Sequence, residues 1–254
     1  YYSIYLRNLV TKKDYGKIIE NSSGSIVFSY NSRYFFYTKL DKYHRSKEIY
    51  LHQIYGKQKK DKLIYREKIE RFSARISTTT DEKFYVITSG DHSTNKCYVL
   101  PGNLSSLKPK LFKDYKENIT FSIDSWNKSF YIHTNENAEN FKLIKSSHKK
   151  SKVFEVVIAP KKNTIIGSPI LLKNYLVWVE KENANYKIYV RNSKTHLDRQ
   201  LKFFNDDVKQ VSCSYYEKNT NGSLIYISYS TPKSTHKTLL YDLNKDKYKI
   251  VKKQ

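Results

Sequence analysis

Seven histidines, His44, His52, His92, His133, His148, His196 and His236, are the side chains best suited to proton transfer or metal binding near neutral pH. No two lie within four positions, so no local metal-binding pair exists. His133 and His52 close strand-like runs and read as strand-surface residues, and His196-Leu197-Asp198 reads as a turn. A nucleophile elbow needs two glycines four apart around the reactive serine. The seven glycines (Gly16, Gly24, Gly56, Gly90, Gly102, Gly167, Gly222) never take that spacing, and they exclude the glycine-rich phosphate loops as well. Carboxylates for acid–base work would come from Glu67, Glu70, Asp81, Glu82, Asp91, Asp124, Glu180 or Glu182, most of which lie at turns among Lys and Arg. Asp124 differs because it ends a first strand near the axis of its repeat and can face an interior channel, although a structural role is the preferred reading. No catalytic, cofactor-binding or metal-binding residue is assigned, and no cofactor is expected.

Cys97 and Cys213 have neither CxxC spacing nor a histidine beside them, and read as buried thiols of a reducing compartment, the cytoplasm. Five Asn-x-Ser/Thr triplets, at Asn21, Asn103, Asn118, Asn127 and Asn221, are read as chance products of an Asn- and Ser-rich sequence. The formal net charge is +23, which on its face suggests nucleic acid or an anionic surface. The lysines, however, run through loop after loop, as at 57–62, 145–152 and 245–253, beside abundant Asn, Ile and Tyr. That is the imprint of an A/T-rich genome, and nucleic acid is not the expected partner. Aromatic and basic residues interleave from Tyr34 to Arg45, as on single-strand binding surfaces, but strands impose the same alternation. No apolar run approaches the ~18 residues of a membrane helix and no signal-peptide layout opens the chain, so no membrane partner is expected. The chain starts at Tyr1 and contains no Met, and is read as an excerpt from something longer.

Short alternating runs of Tyr, Phe, Ile and Val recur between clusters of Asn, Ser, Asp and Lys, which predicts an all-β chain. The runs group in fours. First strands begin near Ser25, Phe72, Ile119, Ile165 and Val208, at intervals of 47, 47, 46 and 43 residues. Second strands are predicted at 34–38, 84–88, 130–134, 175–179 and 224–228, and third strands around Tyr50, Tyr98, Leu143, Tyr189 and Tyr241. Short fourth strands follow, as at 63–65 and 154–158. Four strands in roughly 40–50 residues is the period of a β-propeller blade. A long sandwich gives no reason for that regrouping. The expected fold is a β-propeller of four-stranded blades, five complete (21–70, 71–117, 118–163, 164–206, 207–254) plus part of a sixth at 1–20, an incomplete portion of a seven-bladed ring. Within 1–20 two strands are predicted, at 3–7 and 17–20.

The ordered motifs of these repeats resemble the propeller of the prolyl oligopeptidase family, with the oligopeptidase B (protease II) branch nearest. Arg7-Asn8-Leu9 and Ser22-Ser23-Gly24-Ser25 look like the close of one blade and the opening of the next. The Lys62-Leu63-Ile64-Tyr65-Arg66-Glu67 segment is similar to the family's Lys-Leu-Ile-Tyr-Glu-Glu. Most specific are Phe121-Ser122-Ile123-Asp124, Phe130-Tyr131-Ile132-His133-Thr134-Asn135 and Ala138-Glu139-Asn140-Phe141-Lys142-Leu143. Ser230-Thr231-Pro232, Tyr241-Asp242-Leu243 and Lys253-Gln254 look like the last blade running to the hinge, with the usual Thr-Gly turn replaced by Lys245-Asp246. The resemblance implies a propeller that caps an α/β-hydrolase domain with a Ser/Asp/His triad and admits only short peptides, cleaved after basic residues. That hydrolase domain is absent from this sequence, whether it follows in the same chain or comes as a separate polypeptide. The chain alone is therefore predicted inactive as a serine endopeptidase, and no catalytic residue carries over. The alternative is a stand-alone propeller acting as a protein-interaction scaffold.

Overall fold

Alternation of apolar and polar residues over four to eight positions favours half-buried strands, and the structure is built almost wholly from them. The computed structural model describes residues 1–150, 152–202, 210–216 and 222–253. Val208, Asn221 and Gln254 lie outside the described residues. Two compact units are formed, Tyr1–Ser125 and Trp126–Gln254.

In the first unit, β1 (Tyr2–Arg7), β2 (Asp14–Phe28), β3 (Tyr34–Leu40), β4 (Ser46–Gln53) and β5 (Lys62–Arg66) pair in sequence order, all antiparallel. A 3-10 turn at Gln58–Lys60 precedes β5. The second sheet follows as β6 (Ser73–Thr78), β7 (Phe84–Gly90), β8 (Asn95–Pro101) and β9 (Lys110–Lys113). The third is β10 (Phe121–Trp126), β11 (Ser129–Thr134), β12 (Lys142–Ser147) and β13 (Glu155–Ile158). The second unit continues with β14 (Thr164–Ile166), β15 (Ile170–Leu172), β16 (Tyr175–Glu182), β17 (Asn185–Asn192) and β18 (Asp198–Gln200). Its last sheet is β19 (Gln210–Tyr215), β20 (Leu224–Thr231), β21 (Ser234–Asp242) and β22 (Lys247–Lys253). Five antiparallel meanders of at least four strands result. The predicted second and third strands fall on β3/β4, β7/β8, β11/β12, β16/β17 and β20/β21.

Two strands depart from the sequence reading. A strand ending at Glu20 and another opening near Ser25 were expected, but β2 runs through both positions without a break. Residues 14–22 pair with β1 and 22–28 with β3, and bulges around Ser22 turn the strand from one partner to the other. The strand near Ile165 is instead divided. Both β14 and β15 pair with β16, and the break falls at Gly167-Ser168-Pro169, where Pro169 has no N–H to give the ladder. Ile166 pairs with Glu180 and Ile170 with Val177, so the break inserts one residue relative to β16.

The core lies in layers between consecutive sheets of each unit. Phe36, Ile49, Leu51 and Ile64 meet Ala74, Tyr85, Ile87 and Leu100 in the first unit. In the second, Leu143 and Ile158 meet Ile166, Leu171 and Trp178, and the opposite face of that sheet packs Val177, Ile188 and Val190 against Ile225, Ile227, Leu239 and Tyr241. Each fully buried aliphatic or phenyl side chain contributes about 1.5–3 kcal/mol. Layers on both sides explain why the second strands β3, β7 and β16 hold three or more consecutive buried residues instead of alternating. In β3, Phe35, Phe36, Tyr37 and Thr38 are all buried, because Phe36 faces the second sheet while Phe35 and Tyr37 face Ile4 and Ile19.

Candidate functional surface on the first strands

The strands that open each sheet are residues 22–28 of β2, then β6, β10, the β14/β15 pair and β19. Their buried positions hold Ala74, Phe121, Ile166, Ile170 and Leu172. Six of their twelve exposed positions are short hydroxyls, Ser25, Ser73, Ser77, Ser122, Ser212 and Ser214, and the others are Gly24, Ile26, Phe28, Arg75, Ile165 and Gln210. Across all of these segments there is one cation, Arg75, and no lysine. The fourth strands β5, β9, β13, β18 and β22 together carry nine Lys or Arg. Eight of these nine lie on β5, β9 and β22, whereas β13 has none and β18 has Arg199 beside Asp198, so charge rises from first to last strand in three of the five meanders.

Asp124 lies within β10, two residues before its end at Trp126, and its carboxylate accepts hydrogen bonds from Thr80 N–H (2.7 Å), Thr80 Oγ1–H (2.6 Å) and Ser125 N–H (2.7 Å). Burial pushes its carboxyl above the usual range; the bonds from Thr80 and Ser125 oppose this, and neighbouring Asp81 adds to it. Asp124 ties β10 to the turn after β6, which is the structural role. Asp81 accepts from Ser125 Oγ at 3.0 Å in the same junction.

The remaining candidates are separately engaged. Glu67 is buried and accepts from Ser89 Oγ (2.5 Å), Tyr65 OH (2.5 Å) and Ile69 N–H (2.7 Å), with the Lys96 ammonium at 3.1 Å. Burial alone would raise its carboxyl, but those bonds outweigh it and hold the group below the usual range. Glu180 takes the Lys161 ammonium at 2.7 Å and Trp178 Nε1–H at 2.9 Å. Glu182 pairs with Lys187, Glu70 with Arg45, and Asp91 with Arg71 while closing the β7–β8 turn on Ser93 and Thr94 N–H. Glu82, His44 and His196 occupy turns at positive φ. His52 is fully buried, with Nδ1 2.7 Å from Asp61, whose other oxygen accepts from Tyr37 OH at 2.8 Å. Cys97 and Cys213 are free thiols, pushed up by burial to about 11 and about 12.

One pairing escaped the sequence reading. His133 Nε2 lies 2.7 Å from the Ile166 carbonyl and therefore carries the proton, which leaves Nδ1 to accept from Ser168 Oγ–H at 3.3 Å. The signal was the Gly167-Ser168-Pro169 break. A serine–histidine contact is the start of nucleophilic chemistry, but the third partner here is a neutral carbonyl rather than a carboxylate. Burial lowers the His133 pKa, so the imidazole stays neutral and disfavours the imidazolium that proton transfer would create. Among the described residues, no group of three His, Cys, Asp or Glu is placed to hold a metal ion. No helix of the described residues is long and apolar enough to cross a membrane.

Repeated antiparallel meanders, stacked face to face, define a β-propeller. The family model for the prolyl oligopeptidase N-terminal β-propeller domain matches residues 1–254, and the chain belongs to that family. Protease 2 of Moraxella lacunata is 28% identical over 147 residues, 57% of this chain and 21% of the relative. The structure is similar to oligopeptidase B from Leishmania major, with a TM-score of 0.86 and 17% identity over 99% of this chain and 37% of that one. Oligopeptidase B from Trypanosoma brucei gives 0.84 and 18% over 93% and 35%. The chain thus spans little more than a third of these solved relatives.

Proposed function

We propose that this chain is the non-catalytic, substrate-gating propeller of an oligopeptidase B-like serine peptidase, which cleaves short peptides after basic residues. The α/β-hydrolase domain that cuts lies in the same longer polypeptide or joins as a separate one, and short peptides reach it through the central channel of the propeller. In a propeller the first strand of each blade runs beside that channel. The observation that carries the reading is therefore the near absence of cations on these strands. A chain of net charge +23 would repel cationic peptides over about a Debye length, ~8 Å at physiological salt. With one cation on the first strands and eight on the fourth strands β5, β9 and β22, that repulsion is kept away from the path. Free thiols, Cys97 buried and Cys213 half-buried, fit a cytoplasmic setting.

The test is a chimera in which this chain replaces the matching propeller of Protease 2. It is expected to cleave a short arginine peptide and spare a folded protein. Ser77→Lys with Ser212→Lys should then lower kcat/KM for the cationic peptide by about tenfold through unscreened repulsion, and leave a neutral peptide unchanged. Equal loss for both peptides, or cleavage of the folded protein, would overturn the gating role. The 254-residue chain alone is expected to show no peptidase activity and no fluorophosphonate labelling at Ser168, since nothing there activates a nucleophile.

A further inference from the structure

A cleft of about 250 Å³ opens in the first unit where the start of β3, the end of β4 and the start of β5 face the loop between β8 and β9. Its floor and far wall are apolar: Tyr34, Leu51, Leu104 and Leu107. Its rim is polar, with Gln53, Lys60 and Lys62. We propose that this cleft binds the free C-terminal end of a peptide whose last residue is apolar and about the size of leucine.

Four observations lead there. The wall is preformed. Gly102 sits so close to the backbone that a Cβ would lie 2.3 Å from the Glu82 carbonyl, and its N–H donates to Lys83 O at 2.7 Å. Leu104 then adopts φ +55°, a conformation uncommon for a side chain of this bulk, and is held there by its N–H to Pro101 O at 3.0 Å. The strain places a leucine in the wall of a cleft where a polar loop residue would cost less.

The rim is charged and uncommitted. Neither Lys60 nor Lys62 has an ion pair or a side-chain hydrogen bond among the described residues, and the Asp61 between them turns its carboxylate to His52 and Tyr37. Two exposed lysines lining an apolar cleft complement one carboxylate joined to one apolar group. Size sets the class. At about 250 Å³ the cleft is smaller than the ~300–1,000 Å³ of sites that enclose a drug-sized ligand and has room for one leucine-sized side chain. Finally, the Gln53 amide supplies both a donor and an acceptor, which matches the last peptide group of a chain and has no counterpart in a simple fatty carboxylate. The site does not depend on passage of peptides along the first strands: a chain that fails to gate still binds.

The experiment is fluorescence anisotropy with the 254-residue chain and an N-terminally labelled tetrapeptide ending in leucine. Binding is expected, weakened about tenfold when the terminal carboxylate is amidated and by a similar factor in the Lys60→Gln/Lys62→Gln variant, because a charge-assisted contact is lost in each. Both lysines are exposed, so an unchanged melting curve will show that the variant folds. A second variant, Leu104→Ser, should weaken the leucine peptide and leave a peptide ending in glycine unaffected. Absence of binding, equal binding of the amide, or hexanoate competing as tightly as the peptide would overturn the assignment.

Discussion

Buried polar side chains in this molecule hold sheets together, and their partners set what substitution does. Glu67 reaches from the end of β5 to Ser89 and Lys96 of the second sheet, and its side chain is 1% exposed. Glu67→Gln leaves the Lys96 ammonium, 11% exposed, without its counter-charge. A loss of about 3 kcal/mol is expected by urea denaturation, with much of it recovered in Glu67→Gln/Lys96→Met. His133 makes a pH prediction. Burial holds its folded pKa below the unfolded value of about 6.5, so the unfolded chain takes up the proton first. Its contribution is intact above that pH and is lost as pH falls from about 6.5 toward the folded value. His133→Gln keeps a donor for Ile166 O and should flatten the melting temperature between about pH 7 and 5.5 relative to the parent. The sequence placed His133 at the end of a second strand. It could not show that the chain break at 167–169 would bring Ser168 against it, because that contact needs the sheet.

Strand turns carry their own strain. The β16–β17 hairpin turns on Asn183 at φ +47° and Ala184 at φ +60°, the two left-handed residues of a type I′ loop. Asparagine tolerates that region and alanine does not, so Ala184→Gly should stabilise the chain by about 1 kcal/mol, read as a higher midpoint in a urea titration. A value at or below the parent's would mean that the turn relaxes in solution. The Lys245-Asp246 turn shows the opposite solution. Asp246 takes φ +52°, and its carboxylate receives Arg199 at 2.6 Å and Tyr241 OH, so side-chain bonds offset what a glycine would have avoided. Second and third strands were legible because each carries a run of Tyr, Phe, Ile, Leu or Val whose core positions are buried. The continuity of β2 was hidden by its polar middle, Asn21-Ser22-Ser23-Gly24-Ser25, which reads as a turn but is a bulged strand.

At the scale of the whole molecule, the excess positive charge is a self-repulsion that salt screens. Exposed ion pairs such as Arg7–Asp14 and Lys17–Glu20 are already solvated and contribute little, so their weakening should not reverse the gain. The melting temperature is expected to rise between about 20 and 300 mM NaCl, by scanning fluorimetry; a fall would mean that attractive pairs dominate. Composition gave the charge its size but not its place. The repeat period was readable in the sequence, whereas the grading from first to fourth strand emerges only once strand order is known.

That grading also bears on how such a sequence can drift. A change to lysine at an exposed position of a fourth strand, unlike one at the packed Ile64 or Ile158, projects into water at the margin of a sheet and displaces no packed neighbour. The same change on a first strand replaces one of a few short hydroxyls, and on a second strand it enters a layer. Basic substitutions therefore have a reservoir of nearly neutral positions at the margins. A lineage under steady mutational pressure can fill that reservoir for a long time before the packed layers register the change.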